Sequence, residues 1–126
     1  MIIRGAYWRD LLEQPAAVEA TLAGLAMDDR LRAVLDRSYR RIVLTGMGSS
    51  LHALHPLAIR TGAMMVDASE LIHARANLID QDTLVIAVSQ SGRSAEIVRL
   101  VEAHAQRVGA VIGVTNTADS PLAKSA

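Results

Sequence analysis

Six consecutive residues, Ser89-Gln90-Ser91-Gly92-Arg93-Ser94, bring three hydroxyls, a side-chain amide and a glycine together. Such a set can hydrogen-bond an oxyanion from several sides. Ser94 opens a helical stretch, and a helix N-terminus adds unpaired backbone N–H groups and a partial positive charge, so an anion needs no lysine there. Ser89 and Ser91 bracket the turn, Ser94 lies one turn further on and can reach back, and Gly92 lets the backbone approach closely. Charge-assisted hydrogen bonds contribute roughly 1.5–3 kcal/mol each, so three or four hold a phosphate ester in the micromolar-to-millimolar range. Ser and Gly also favour plain helix starts. The density of hydroxyls here, echoed by Ser49-Ser50, favours an anion site over a simple cap.

Three apolar runs must position these groups. Ile42-Val43-Leu44 leads into Thr45-Gly46, Leu84-Val85-Ile86-Ala87-Val88 into Ser89, and Val111-Ile112-Gly113-Val114 into Thr115-Asn116. Each is β-rich and unalternated, the pattern of a strand buried on both faces of a parallel sheet. Met64-Met65-Val66 is a weaker fourth strand. Helical stretches separate them. Ser94–Val108 has Ile97, Val101, Ala105 and Val108 on one face, and Ser49–Thr61 carries Pro56, which must kink or restart the helix. The N-terminal third is helical too: Pro15 suits a first helical position, Val18, Leu22 and Leu25 recur at near-helical spacing, and Asp28 or Asp29 caps a segment whose Leu31, Val34 and Leu35 share a face. The expected division is a helical segment over 1–40 and a sheet-bearing domain over 41–126. The alternation gives an α/β fold with a doubly wound parallel sheet in three α/β/α layers. In such sheets ligands sit beyond the carboxyl ends of the strands, where Gly46–Ser50, Ser89–Ser94 and Thr115–Ser120 lie.

A dinucleotide site is the competing chemistry. Gly46-Met47-Gly48 opens a G-x-G-x-x-G pattern and Asp67 follows the next strand, but Leu51 stands where the third glycine belongs. Candidates for proton transfer are sparse. Glu96 fits a dipole-favoured carboxylate at a helix start, Glu70 a structural role, and His52 a helix face. His55, His73 and His104 have no convergent partners, and no His/carboxylate spacing signals a metal.

The chain has 126 residues with 13 Lys+Arg against 13 Asp+Glu. That balance argues against nucleic-acid binding, which needs excess or clustered positive charge. Arg30, Arg32, Arg37, Arg40 and Arg41 do cluster, as a solvated helix face or an anion-attracting patch. Phe is absent, with one Trp and two Tyr, so the core is aliphatic and no base-stacking platform exists. There are no cysteines, hence no disulfide, thiolate nucleophile or Cys-bound metal. No signal peptide is visible in Met1–Asp10 and no apolar run approaches the ~20 residues of a membrane span. A cytoplasmic protein with no membrane partner is expected.

The loops together resemble those of the sugar isomerase (SIS) domain family. Gly46-Met47-Gly48-Ser49-Ser50-Leu51-His52-Ala53 is similar to its first phosphosugar loop, C-G-T-S-Y-x-A, and Ser89-Gln90-Ser91-Gly92-Arg93-Ser94-Ala95 to its S-Q-S-G-E-T-A signature. Ala68-Ser69-Glu70 resembles the A-S-E after the second strand, and Thr115-Asn116 through Ser120-Pro121-Leu122-Ala123 the N-x-x-x-S-x-L-A loop after the fourth. Glu13-Gln14-Pro15 matches the E-Q-P before the first helix in the isomerase half of aminotransferase-type members. Met47, Leu51 and Arg93 depart from the family's usual Cys, Tyr and Glu. Arg93 reverses a charge at the mouth of the site, either adding an anion contact or facing solvent.

The resemblance implies a flavodoxin-like strand order and a sugar phosphate of the hexose or amino-hexose 6-phosphate class. It implies that Ser89, Gln90, Ser91 and Ser94 hold the phosphate around Gly92, with Ser49 and Ser50 on the sugar or phosphate. No cofactor is implied, and association into a homodimer or larger homo-oligomer is. Family domains continue past the S-x-L-A loop into a fifth strand and further helices, so a chain ending at Ala126 is expected to lack the last strand and the acid/base residues. Two functions stay open: part of an isomerase- or aminotransferase-like enzyme, or a non-catalytic sugar-phosphate sensor.

Overall fold

The runs read as strands form one parallel sheet in the computed structural model, which describes residues 5–104 and 106–126. The chain divides into two compact units, one ending at Asp36 and one spanning Arg37–Ala126.

The first unit holds α1 (Ala6–Gly24) and α2 (Asp29–Asp36). Asp28 starts α2, its carboxylate accepting from the Leu31 N–H at 2.7 Å. Pro15 departs from expectation: it lies inside α1 rather than at a helix start. Proline cannot supply the N–H that would reach the carbonyl of Leu11. Every residue of α1 is exposed, so water can solvate that carbonyl. Leu31 and Val34 are half-buried, whereas Leu35 is exposed rather than sharing their face.

The second unit runs β1 (Arg41–Gly46), α3 (Ser49–His52), α4 (His55–Thr61), β2 (Met64–Asp67), α5 (Ala68–His73), a 3₁₀ turn (Ala76–Leu78), β3 (Thr83–Val88), α6 (Ala95–His104), β4 (Ala110–Val114) and α7 (Pro121–Ser125). Pro56 restarts the helix, occupying the first turn of α4. The strand order is β2-β1-β3-β4. All three pairings are parallel; Thr45 lies opposite both Val66 and Ala87, and Gly46 opposite Val88. From β1 the chain steps outward to β2, then returns to the other side of β1 as β3. That reversal opens a crevice beyond the carboxyl ends of β1 and β3.

One core cluster joins Val43, Val66, Leu71, Ile79, Val85, Leu100 and Val108. A second joins Ala68, Ala87, Ile97, Val101 and Leu122, tying α5, α6 and α7 to the sheet. Ile97 and Val101 lie on the buried face of α6 as the spacing predicts; Ala105 falls outside the described residues, and α6 ends at His104, so Val108 reaches the core from the following loop. Leu100 and His104 complete that face.

At the amino ends of the strands a polar latch closes the sheet. Arg37 donates to the carbonyls of Gly109 and Gln81 at 3.1 and 3.2 Å, and Arg41 to that of Leu78 at 2.6 Å. Arg40 pairs with Asp80, whose carboxyl is held below its ordinary range chiefly by the Thr83 hydroxyl. Of the basic cluster, Arg37, Arg40 and Arg41 therefore serve the fold, at the opposite end of the sheet from the crevice.

His104 is buried, and its Nδ1 has no hydrogen-bond partner among the described residues. Burial first, and the positive charge of Arg107 second, push its pKa below the ordinary 6.5. The folded chain then binds that proton less readily than the unfolded chain. This contribution to stability is undiminished above about pH 6.5 and is lost as pH falls below it. The unfolding midpoint is expected to drop between roughly pH 7 and pH 5, and His104→Leu to flatten that slope. A slope unchanged in the variant would assign it to another group.

Candidate functional site: a neutral groove at the strand ends

Each loop beyond the strands has its own reason for its shape. Gly46 ends β1 where a Cβ would meet the Leu51 N at 3.0 Å and the Val88 carbonyl oxygen at 3.1 Å, so glycine lets α3 approach the sheet without crowding the backbone on either side. Gly48 precedes α3 with φ 52°, a backbone region that side chains resist. Both glycines of the G-x-G pattern thus have local structural work. Asp67, the acidic residue that accompanies the G-x-G pattern, caps α5 by accepting from the Ser69 N–H at 2.9 Å.

The Ser89–Ser94 turn leaves β3 at the crevice. Ser89 is buried and its hydroxyl lies 3.1 Å from that of Ser94, which does reach back across the turn. The Ser91 hydroxyl is exposed and accepts from the Arg93 N–H at 3.3 Å. Gly92 turns the chain with φ 62°.

The loop after β4 braces this turn. The Thr115 hydroxyl and the Asn116 N–H both donate to the Gln90 carbonyl, at 3.1 and 3.0 Å. The Leu122 N–H donates to the Gly92 carbonyl at 3.1 Å, and the Ser89 N–H to that of Val114 at 3.0 Å. Ser120, fully buried, caps α7 through the Ala123 N–H at 3.2 Å.

Between these loops lies a groove of about 360 Å³ lined by Ser49, Ser50, Ala53, Val88, Gln90, Val114, Thr115 and Asn116. Ser49, Ser50 and Gln90 of the sequence-derived set meet here. Ser89, Ser91, Gly92 and Ser94 form the adjoining turn rather than the groove wall. The site list drawn from sequence left out Thr115, Asn116 and the apolar floor of Ala53, Val88 and Val114. For all of these but Ala53, the available signal was position at the ends of β3 and β4.

No lining side chain titrates near neutral pH, so the groove can bind and orient a polyhydroxylated ligand but offers no acid or base. The ionisable candidates lie elsewhere. Glu70 pairs with Arg75 at 2.6 Å, Glu96 sits in the first turn of α6, and the His52 and His55 rings stack at 5.8 Å. Arg93, His73 and Lys124 are exposed. Among the described residues no group of His, Cys, Asp and Glu could hold a metal ion.

The family model of the SIS domain matches residues 37–126. The chain belongs to the SIS domain family. Over 118 residues this SIS chain is 32% identical to the glutamine–fructose-6-phosphate aminotransferase (isomerizing) of Pyrococcus horikoshii, covering 89% of this chain and 20% of that protein. Over 117 residues it is 36% identical to the arabinose 5-phosphate isomerase KdsD of Pseudomonas aeruginosa, covering 87% of this chain and 36% of that one. It therefore spans about a fifth and about a third of those relatives. Among solved structures, c3406 of E. coli CFT073, solved as a complex with a ligand, superposes with a TM-score of 0.68 at 28% identity, over 76% of this chain and 54% of that one. The α/β fold with its parallel four-strand sheet is the SIS fold, as the loop motifs implied.

Proposed function

We propose that this SIS domain binds a phosphosugar of the hexose or amino-hexose 6-phosphate class. The phosphate rests on the Ser89–Ser94 turn and the sugar runs along the groove past Ser49 and Ser50. Ser91, Ser94 and the Gln90 side chain donate to the phosphate, Ser89 orients Ser94 from inside, and Gly92 gives the turn its curvature. One observation carries this reading: a groove of hydroxyl and amide side chains over an apolar floor, at the switch point of the sheet. The names of the relatives support a phosphosugar, the aminotransferase's a hexose 6-phosphate and that of KdsD a pentose 5-phosphate. Residues 41–126 form the binding module in this reading, and 1–40 a preceding helical segment.

The module serves a cytoplasmic ketose/aldose or amino-sugar phosphate isomerase or aminotransferase-like enzyme, its acid and base coming from outside the groove. The absence of titrating groups in the groove also favours a second reading, a sensor that binds without turnover. Assembly as a homo-oligomer is part of the proposal, as the family resemblance implies. Among the described residues no helix is long and apolar enough to cross a membrane.

Calorimetric titration with fructose 6-phosphate and glucosamine 6-phosphate, against fructose and NAD, tests the reading. Saturable binding of the phosphorylated sugars alone is expected. Binding of NAD alone would overturn it in favour of the glycine-loop alternative, and no binding would overturn it outright. Sedimentation of the same samples checks the assembly, a species of one-chain mass removing the oligomer.

A further inference from the structure

The Gln90 carbonyl is the most heavily engaged group of the Ser89–Ser94 turn, accepting from both the Thr115 hydroxyl and the Asn116 N–H. Both donors come from the loop after β4. None of the described peptide bonds is cis, and in a planar trans peptide the C=O and the following N–H point in opposite directions. Fixing the Gln90 carbonyl toward the β4 loop therefore turns the Ser91 N–H away from it. The N–H groups of Gln90 and Ser91 donate to no protein acceptor among the described residues, although they lie in a turn otherwise closed by hydrogen bonds. An N–H aimed by its own peptide plane and left open is a preorganised anion donor.

We propose that Thr115 is a positioning residue for phosphate recognition, its hydroxyl locking the Gln90–Ser91 peptide so that the Ser91 N–H faces the bound phosphate. This rests on the phosphosugar reading above and assigns the hydroxyl of Thr115, a residue that also lines the groove, to the turn rather than to the ligand. Thr115 is suited to the task because its hydroxyl is itself held: it accepts from the Thr117 N–H at 3.2 Å while donating to Gln90. Valine keeps the shape and loses both bonds, whereas serine keeps both bonds and loses only the methyl group.

The test titrates the full chain and its Thr115→Val and Thr115→Ser variants with fructose 6-phosphate, and follows the Ser91 amide resonance by NMR. Thr115→Val is expected to weaken binding about tenfold, the equivalent of one charge-assisted hydrogen bond, with Thr115→Ser restoring it. In the wild type the Ser91 amide proton should move downfield on saturation, a readout that general softening of the fold does not produce. Equal affinity in wild type and Thr115→Val would overturn the inference and leave the phosphosugar reading standing. If Thr115→Val unfolds, the wild-type resonance decides: a Ser91 amide unmoved by bound fructose 6-phosphate overturns the inference. Failure of the wild type to bind any phosphosugar would overturn the underlying reading instead.

Discussion

Gly92→Ala is expected to abolish detectable fructose 6-phosphate binding and to destabilise the chain by more than about 2 kcal/mol, because two penalties act on one atom. Gly92 has φ 62°, and an L side chain in the left-handed region costs roughly 1–2 kcal/mol. The added Cβ would also run into the Cβ and Oγ of Ser120 and lie 2.8 Å from the Thr115 Oγ1. Ser120 has nowhere to retreat, since it is fully buried and its hydroxyl caps α7. Relief must come from moving the turn away from the β4 loop, which breaks the bonds from Thr115, Asn116 and Leu122 together. Urea denaturation gives the stability change and calorimetry the affinity. A Gly92→Ala protein that kept wild-type affinity would show that the tight seam between the two loops does not shape the site.

The second large effect is expected at Leu122. Its side chain is fully buried in the cluster with Ala68, Ala87, Ile97 and Val101, and its N–H holds the Gly92 carbonyl. A Leu→Ala truncation in such a place costs roughly 2–5 kcal/mol through lost burial and the cavity left behind. The five-residue α7 is too short to persist without tertiary anchorage. The cavity is therefore expected to loosen α7 and, through Gly92, the phosphate turn. Lys124→Ala on the exposed side of the same helix should change stability by no more than about 0.5 kcal/mol. The urea midpoint at constant slope separates the two variants. A loss below about 1 kcal/mol at Leu122 would mean that α7 is not an integral part of the core.

The pair of loops on which both predictions turn also marks where sequence reading stopped. The two central strands were legible because Ile42–Leu44 and Leu84–Val88 have no polar alternation, the composition of a strand buried on both faces. Val111–Val114 reads the same way, yet β4 lies at the sheet edge with no fully buried residue, and β2 at the other edge buries only Val66. That Pro56 kinks or restarts the helix follows from a missing N–H, and that Asp28 or Asp29 caps α2 from their side-chain oxygens; the structure selects the restart and Asp28. The Ser89–Ser94 turn was legible as a candidate site because its residue types are rare in such density. Pro15 misled because proline is disfavoured inside a helix without being excluded from one; the N–H it lacks leaves the Leu11 carbonyl without its helical donor, and α1 is exposed there so that water can reach it.

What the residues alone determined was the class of fold, the order of its elements and the chemistry offered by the turn. The tertiary structure decided which groups face which. Sequence proximity made Ser89, Ser91 and Ser94 one cluster, yet folding pairs Ser89 with Ser94 and leaves Ser91 exposed. It brings Ser49, Ser50 and Gln90 to one groove with Thr115 and Asn116, which lie more than twenty positions further along the chain. Those contacts depend on strand register and on the reversal of strand order between β1 and β3. Both are set by the packing of the whole sheet rather than by any segment of it.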